Sequence, residues 1–576
     1  MLHRPSRTSP GRPGPVRRLR RPLAAFVAAA ALLAACGRGP SPAVSGPRAP
    51  AAASAILNVD WGGEPASLNP LLAADAISYN VLDQVMEGLV RLNRAGTPVP
   101  GIASSWTVGP RARTYTFSLR PARWSNGDAL TAADFVFAWD AALNPCTGSP
   151  TAGNLSAIEG AAALLALRCP DPHAHPAAFA RAQRQATALD AHLGLRALST
   201  HTLRVTLSLP SPYWLDLTAL PVYFPADAAR VRAWGVKAYG TAIDRLVFDG
   251  PFVISKWRSG DYLDLRRNPR YWDAAAVHLA GVHGLMVSDP ATAVNLYQAG
   301  QLDILAPVLP SSYVHRFRGR PGFRSATAPT TWFLWVNTAV APLTNVHVRR
   351  ALSAAIDRRS LAGAVVRGGA HAAYALTPPG IVAAPAPGSF ASRVGPVLPV
   401  TAHPSRARAE LGTGLRQLHL TQLPPLTVMG PASARSELAT LQAFWRQNLG
   451  VGVRVQTVDM QTELADLQSG RFDLALIDWS YDYNDPTSFL NVFAGPMDFT
   501  HWADPAYTGA LQRAAAAGDS PARAADLATA ERALLSQLPA IPLFWPGQNW
   551  VAHADIHGLV VHPLGETFSL RGVVKA

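Results

Sequence analysis

The chain has 576 residues, of which 49% are hydrophobic and 15% are charged. This composition is typical of globular proteins, and the length predicts two or three packed units rather than one core. The formal net charge is +14, but seven arginines lie before residue 22, and without them the charge falls to +7. Because the other basic residues are scattered, a nucleic-acid surface is disfavoured and no nucleic-acid partner is expected.

The amino-terminal segment has the pattern of an export signal. An arginine-rich leader precedes the run "LAAFVAAAALLAAC", which ends at Cys36. Its roughly dozen apolar residues are too few for a helix that spans a bilayer core of about 30 Å. Residues Leu33-Ala34-Ala35-Cys36 resemble the lipobox of bacterial lipoproteins, so we expect a lipid on Cys36 that anchors the protein outside the cytoplasm. The alternative is an ordinary signal peptide with an incidental cysteine, and Sec and twin-arginine export both stay open.

Two further cysteines, Cys146 and Cys169, follow the leader. An exported protein meets oxidising conditions, and a disulfide here would close a loop of about two dozen residues and contribute roughly 3 kcal/mol. Two alternatives stay open, which are free thiols and a zinc or nickel site with His173 and His175 in "CPDPHAHP". The spacing matches no standard zinc signature, so the disulfide is the preferred interpretation.

A first set of strands and helices begins at Ile56. A short strand is followed by apolar residues at helical spacing from Leu82 to Leu89. The stretch "TYTFSLR" alternates apolar and polar residues and predicts a half-buried strand. Thr131 and Asp134 form a capping box that opens the amphipathic helix "AADFVFAWDAAL". Strand material in "LRVTLSLPSPYWL" and "PFVISKWRSGDYLDLRRNPRYW" and a helix in "ATAVNLYQAGQLDI" complete the set.

A second set follows residue 305. It contains the strand and helix of "TWFLWVNTAVAPLTNVHVRRALSAAIDR", the strand "PLTVMG", the helix "ELATLQAFWRQNLG" and the strand "VRVQTV". The last strand in this set is "LALIDWSYDYNDPTSFL", residues 474–490, where an apolar run meets three aspartates. Two α/β sets predict two lobes, and ligand pockets favour such interfaces.

Nine phrases carry a resemblance to a known family: "EPASLNP", "MEGLVRLNRAGTPVPGIASSW", "YTFSLRPARWSNGDALTAADFVFAW", "GPFVISKW…NPRYWD", "LYQAGQLDI", "VNTAVAPLTNVHVRRALSAAIDR", "FWRQNLGVGVRV", "GRFDLALIDWSYDYNDPTSFLNVF" and "IPLFW". In this order, over nearly all of residues 56–560, they are similar to the oligopeptide- and dipeptide-binding proteins of bacterial ABC importers. The resemblance implies a two-lobed α/β periplasmic-binding-protein fold, type II-like and class C, with an extra subdomain in the first lobe.

The phrases also imply domain boundaries. We expect chain crossings between the lobes near residues 303–308 and 545–550, which serve as a hinge. The expected segments are a lipoprotein signal peptide over 1–35, a flexible Pro- and Gly-rich tether over 36–54, a first lobe over 55–87, 206–305 and 548–576, its extra subdomain over 88–205, and a second lobe over 306–547.

In this family the ligand lies in the cleft as an added β-strand, and an aspartate holds its amino terminus. The resemblance assigns that role to Asp482, places Trp479 beside the ligand, and gives the backbones of Asp478 and Ser480 the strand bonds. A carboxylate suits an ammonium group, and backbone bonding gives affinity without reading side chains. Asx turns before Pro486 are the competing role for Asp482 and Asp485. Further candidate ligand-binding residues are Tyr481, Asp75, Ala76 and Thr151.

The sequence departs from the family at the other end of the ligand. Where enteric oligopeptide binders place basic residues that meet the peptide's carboxyl end, this chain has Val340, Ala434, Leu467 and Leu476. An expected acidic residue falls on Ala74, beside Asp75, and an expected tyrosine falls on Thr151. The amine end of the site is therefore retained, whereas a carboxylate clamp is not visible.

These features predict a receptor rather than an enzyme. We expect a lipid-anchored, monomeric, extracytoplasmic protein that binds peptides between its lobes and delivers them to an ABC permease, with no cofactor. A receptor for a nickel chelate, or for another amine-bearing solute, is the alternative. A hydrolase is disfavoured because G-x-S-x-G, H-E-x-x-H and G-x-x-x-x-G-K-[ST] are missing from the sequence.

Overall fold

Hydrophobic side chains form two large cores in the computed structural model, which describes residues 55–307, 309–383, 388–495, 497–518, 520–562 and 567–576. The first core uses residues between Leu57 and Ile304 together with the C-terminal segment from Ala552 to Val573. The second uses residues between Phe333 and Trp545. The chain thus has the expected two-lobed α/β architecture. The signal peptide, Cys36 and the tether lie outside the described residues, and the domain boundaries stay predictions.

The first core packs helices against two four-stranded sheets. One sheet is mixed. Its edge strand Ile56–Asp60 pairs in parallel with Gly281–Leu285, and the other pairs of neighbouring strands in this sheet are antiparallel. The second sheet is antiparallel. In sheet order the strands are Ile56–Asp60, Gly281–Leu285, Tyr262–Arg267 and Phe252–Arg258, then Ala103–Val108, Thr114–Leu119, Thr202–Thr206 and Leu195–Ser199. The helices are Ala76–Val85, Ala132–Leu143, Ala161–Leu165, Pro176–Asp190, Trp214–Leu217 and Ala228–Trp234. A further helix, Pro290–Gln298, packs in the small third core described below. Two-stranded pairs join Val90–Leu92 to Pro98–Pro100, Ala122–Arg123 to Ala129–Leu130, Ile556–His557 to Val574–Lys575, and Val560–Val561 to Phe568–Ser569.

Local sequence signals account for several of these elements. The predicted strand is observed over Thr114–Leu119 with alternating burial, and the helix Ala132–Leu143 opens with the predicted capping box. The first helix, by contrast, stops at Val85 although the apolar spacing continues to Leu89. The chain turns away there because the Glu87 N–H donates to Asp249 (3.2 Å). Gly88 then packs so close to Thr218 that a Cβ would lie 2.9 Å from its carbonyl oxygen.

The second core surrounds a six-stranded mixed sheet. Its strand order is His371–Ala372, Ala540–Trp545, Thr330–Val336, Leu474–Ser480, Leu426–Pro431 and Val453–Val458. The helices around it are Val346–Ala354, Arg358–Ser360, the π-helix Leu361–Val366, Phe390–Val394, Pro404–Gln417, Arg435–Leu449, Met460–Gln468, Thr487–Leu490, Pro505–Ala517 and Pro521–Gln537. Short 3-10 helices in the described chain span Pro110–Ala112, Ala152–Leu155, Pro221–Tyr223, Ile243–Arg245, Ala274–Ala276, Ala432–Ala434 and Asn491–Ala494.

A three-stranded sheet lies where the chain passes between the two cores. Gly547–Ala552 is its central strand, flanked by Ile304–Leu305 and Phe323–Thr327. The helix Ser311–Phe317 packs in a small third core beside it. Ile304–Leu305 lies within the segment 303–308 that is predicted to cross between the lobes, whereas Gly547–Ala552 overlaps the predicted crossing at 545–550 and extends beyond it. The two strands pair in antiparallel fashion through Val551 and Ala552.

Candidate functional site

The strand Leu474–Ser480 leaves part of one edge open. On one side it pairs along its whole length with Thr330–Val336. On the other side, Leu426–Pro431 pairs only with Leu474 and Ala475, and it ends at a proline, which has no N–H to donate. Beyond Ala475 no strand of the described chain pairs with this side. Residues 476–480 therefore form an open edge inside the second lobe.

The register shows which backbone groups face the open edge. The Asn337 N–H donates to the Asp473 carbonyl (3.0 Å), and the Tyr481 N–H donates to the Pro329 carbonyl (3.1 Å). Bonded and non-bonded pairs alternate along an antiparallel ladder, so odd-numbered residues between these two bonds face Thr330–Val336. The N–H and C=O groups of Asp478 and Ser480 therefore point to the open edge. An extended chain can bind such groups as an additional strand.

Asp482 follows the open edge, and its side chain is exposed. Its N–H donates to the Ser488 hydroxyl oxygen (2.8 Å), which holds the backbone of the turn. Surrounding protein still removes part of its hydration and raises the pKa of Asp482 above its ordinary value, while a side-chain hydrogen bond with Ser488 acts in the opposite direction. A carboxylate that is poorly hydrated but reachable suits a cationic partner.

Two more acids lie beside the open edge. Burial, followed by the charge of Asp478, raises the pKa of Glu463 to about 7. Burial also raises the pKa of Asp478 itself, against a hydrogen bond from its own backbone N–H. Glu463 is only 8% exposed, and its Oε1 has no hydrogen-bond partner among the described residues. Glu463 is therefore only partly ionised near neutral pH, and a cationic ligand beside the edge would favour ionisation of all three carboxyls.

The remaining side chains of this stretch are held from within the lobe. The Trp479 indole N–H donates to the Ser488 carbonyl (2.9 Å), and the hydroxyls of Ser480 and Thr330 lie 2.8 Å apart. Tyr481 is buried, and its hydroxyl has no partner in the described part of the chain. These contacts and the burial of Tyr481 fix the shape of the edge.

The turn after the open edge touches the first lobe. The Tyr213 and Tyr483 rings stack with centroids 3.9 Å apart, and the Asn484 backbone N–H donates to Asp216. Burial and the charge of Asp485 raise the pKa of Asp216 well above its ordinary value. The sequence analysis did not predict Tyr213 or Asp216 at the site. The pattern of "SPYWLDL" predicts a strand and a turn, and no local signal indicates that this segment contacts the turn after the open edge.

Other predicted ligand-binding residues lie on the first lobe. Asp75 caps the helix Ala76–Val85 and accepts bonds from the Ser78 N–H (2.8 Å) and hydroxyl (2.6 Å). Ala76 is exposed at the first position of that helix. Thr151 precedes a 3-10 helix, and its buried hydroxyl has no partner among the described residues. The capping bonds give Asp75 a structural role, and the roles of Ala76 and Thr151 in ligand binding stay predictions.

Cys146 and Cys169 are bonded to each other, with Cα atoms 5.0 Å apart. The bond links the end of the helix Ala132–Leu143 to the loop before Pro176–Asp190. His173 and His175 are exposed, and the described residues contain no group of three or more metal-binding side chains. The disulfide removes both thiolates from the donors that a metal site in this loop would use.

Comparison with known proteins identifies the family. Residues 97–500 match the model of the bacterial extracellular solute-binding proteins, family 5, middle region. The chain is 29% identical over 559 residues to the oligopeptide-binding protein OppA of Bacillus subtilis. The alignment covers 94% of this chain and 97% of that protein.

Solved structures agree with this match. The murein tripeptide-binding protein MppA, in its unliganded open form, superposes with a TM-score of 0.75 at 27% identity and covers 90% of this chain and 97% of its own. Haemophilus influenzae OppA in complex with RPPGFSPFR superposes with a TM-score of 0.66 at 26% identity. This superposition covers 90% of this chain and 98% of that chain. In the described chain no helix is both long enough and apolar enough to cross a membrane. The chain therefore belongs to family 5 of the bacterial extracellular solute-binding proteins, which are transport receptors and not enzymes.

Proposed function

We propose that this protein binds peptides by adding them as a β-strand to the open edge and that it delivers them to an ABC permease. The observation that supports this most directly is the register, which directs the backbone groups of Asp478 and Ser480 away from the neighbouring strand. Backbone bonding takes peptides of varied sequence, as a nutrient receptor needs. The relatives described above are oligopeptide and murein tripeptide binders, which supports the same ligand class.

The amino terminus of the peptide binds to Asp482 in this proposal. Asp482 lies two residues beyond Ser480, at the end of the open edge, and its incomplete hydration makes a fixed ammonium a favourable partner. Asp478 adds negative charge along the same edge, and Glu463, with a pKa of about 7, adds to it as it ionises. Tyr481, Ala76 and Thr151 would line the cleft around the ligand, and Trp479 would flank it. Asp75, already a helix cap, is the weaker candidate.

N-methylation of the peptide tests strand addition directly. A strand bonds its neighbour through every second residue, so methylating one amide should remove an N–H donor and methylating the next should not. We expect the affinity of a hexa-alanine peptide to fall at least tenfold for one set of alternate amides and less than threefold for the other. The measurement is calorimetry on the mature protein. Equal losses at successive amides would show that the peptide does not bind as a strand.

Closure of the lobes gives a second test. Two lobes joined by the strands Ile304–Leu305 and Gly547–Ala552 can rotate about these crossings. We expect the radius of gyration in solution scattering to decrease when peptide saturates the protein. An unchanged profile at saturation would contradict hinge closure. Native mass spectrometry of the purified protein would identify a peptide that is carried from the cell.

Anchoring by a lipid on Cys36 completes the proposal. The support is the lipobox-like "LAAC" at the end of a short apolar run, followed by a segment rich in Pro, Gly, Ser and Ala. A lipid would hold the receptor near the permease at the outer face of the membrane. Replacing Cys36 with alanine should release the protein into the soluble fraction. A Cys36→Ala protein that is cleaved and yet stays on the membrane would show that the anchor lies elsewhere.

A further inference from the structure

A cavity lies at the edge of the six-stranded sheet that is formed by the strand His371–Ala372. It has a volume of about 550 Å³ and opens between the edge strand His371–Ala372 and the end of Ala540–Trp545. Two strands separate His371–Ala372 from Leu474–Ser480, which is three strand spacings or about 14 Å. The cavity is therefore distinct from the open edge, residues 476–480, which Asp482 follows.

The wall of this cavity contains a buried donor without an acceptor. Trp545 is 1% exposed, and its indole N–H has no hydrogen-bond partner among the described residues. The edge of the Tyr374 ring packs against the indole, with centroids 4.9 Å apart and planes at 82°, and holds its orientation. A buried N–H normally finds an acceptor, and the described residues supply none to this one.

Every charged or titratable group on the cavity wall is a cation or a neutral donor. Arg359 and His371 supply a guanidinium and an imidazole, and Tyr374 and Thr327 supply hydroxyls. The described residues place no carboxylate on this wall. The Arg359 backbone N–H donates to the Val400 carbonyl (2.8 Å), which fixes the base of its side chain beside the cavity. The wall thus presents donors that suit an acceptor-only ligand.

An irregular backbone forms the remaining wall. Ala362 and Gly363 belong to the π-helix Leu361–Val366, a rare conformation that is frequent at functional sites. The next residue, Arg367, has φ 59°, which L residues with side chains rarely adopt.

We propose that this cavity binds a carboxylate, with the Trp545 indole N–H and the Arg359 guanidinium as its principal donors and His371 and Tyr374 beside them. The carboxylate can belong to a small free molecule or to the carboxyl end of a long peptide whose amino end lies at the open edge. Both sources present the same two oxygens to the same donors. The site stands on its own contacts, independently of how peptides bind elsewhere.

Hippurate and its neutral amide, hippuramide, form a matched pair of probes for the site. With 15N-tryptophan-labelled protein, we expect hippurate to shift the indole signal that the Trp545→Phe variant lacks. Hippuramide should bind at least tenfold more weakly, because it lacks the charge. Arg359→Gln should weaken hippurate at least fivefold, whereas Arg204→Gln, which removes an exposed charge from a strand of the first lobe, should have no effect. Thermal unfolding of both site variants checks that they are folded.

Three results would overturn the proposal: equal binding of hippurate and hippuramide, unchanged affinity in both site variants, or a shift confined to other indoles. Competition then separates the two sources of the carboxylate. If a peptide's own carboxyl end occupies the cavity, saturating hippurate should weaken a free-acid peptide and leave its amidated form unchanged. If the site takes a separate small carboxylate, hippurate should change neither peptide's affinity. Either competition result is consistent with the site.

Discussion

Asp485 forms a buried, two-pronged ion pair with Arg523, with N–O distances of 2.7 and 2.8 Å. Both side chains are almost completely buried. Burial alone would lower the pKa of Arg523, but the hydrogen bonds and charge of Asp485 raise it. Asp485 also accepts from the Thr487 N–H (3.0 Å), as the sequence predicted for a turn before Pro486. The pair therefore ties the turn beyond the open edge to the helix Pro521–Gln537.

Removing one partner of this pair should destabilise the protein strongly. Asp485→Asn leaves the Arg523 charge buried without its counterpart, which typically costs about 3–5 kcal/mol of unfolding free energy. Arg523→Met should cost a similar amount, and the double variant should lose less than the sum. Denaturant unfolding measures all three. The control is Asp526→Asn, which breaks the exposed pair with Arg513 and should cost at most about 1 kcal/mol. Similar losses for the buried and exposed pairs would contradict this reasoning.

Glu463 should make stability depend on pH. Its pKa in the folded protein is about 7, above the ordinary 4.5, so the folded state favours the protonated form. The stabilisation is present below pH 4.5 and is lost as the pH rises through 7. Glu463→Gln should therefore raise the unfolding free energy at pH 8 by about 3 kcal/mol and change it little at pH 4. Thermal unfolding at the two pH values, without ligand, measures the difference. An equal effect at both would mean that ionisation of Glu463 is not the cause.

The disulfide should stabilise the first lobe. It closes a loop with a sequence separation of 23 residues, for which the loss of chain entropy in the unfolded state predicts about 3 kcal/mol. A variant with Cys146→Ser and Cys169→Ser should lose about this much unfolding free energy. Reductant should produce the same loss in the original protein and none in the variant. Insensitivity of the original protein to reductant would show that the bond does not form in solution.

Local sequence patterns predicted elements better than they predicted contacts. The strand Thr114–Leu119 and the capped helix Ala132–Leu143 agree with the prediction because period and capping act over a few residues. The open edge depends on which strand lies beside Leu474–Ser480 and where that neighbour ends. Sheet pairing joins distant segments, so no window around Asp478 could reveal it.

Local sequence patterns also did not predict which charged residues pair with each other. Asp485 and Arg523 are 38 residues apart, and Arg523 stands in an alanine-rich helix that looks like ordinary surface. Glu463 also lies on a short helix with no local sign that it is buried. What the family resemblance did supply was the position of Asp482 at the end of the strand, and the assignment of a ligand to it is still a prediction.

Asp482 should account for much of the affinity for peptides with a free amino terminus. If its carboxylate pairs with the α-ammonium in a closed cleft, removing either partner typically costs about 2–5 kcal/mol. Asp482→Asn should weaken such a peptide at least thirtyfold, and N-acetylating the peptide should weaken binding to the original protein similarly. The two changes together should cost less than their sum because they remove one interaction. Asp244→Asn, an exposed acid in the first lobe, is the charge-matched control. Additive losses in calorimetry would place the ammonium elsewhere.

The pH dependence of binding tests the same pair in a second way. The pKa of free Asp482 is raised by incomplete hydration, and a bound ammonium should lower it. The peptide therefore binds the ionised carboxylate, so affinity is complete above the pKa of the free protein and decreases as the pH falls through it. Because that pKa lies above 3.8, the decrease should begin at a higher pH than an ordinary aspartate would give. The N-acetylated peptide and the Asp482→Asn variant should both lack this decrease, since each removes one of the charges that link proton and peptide binding.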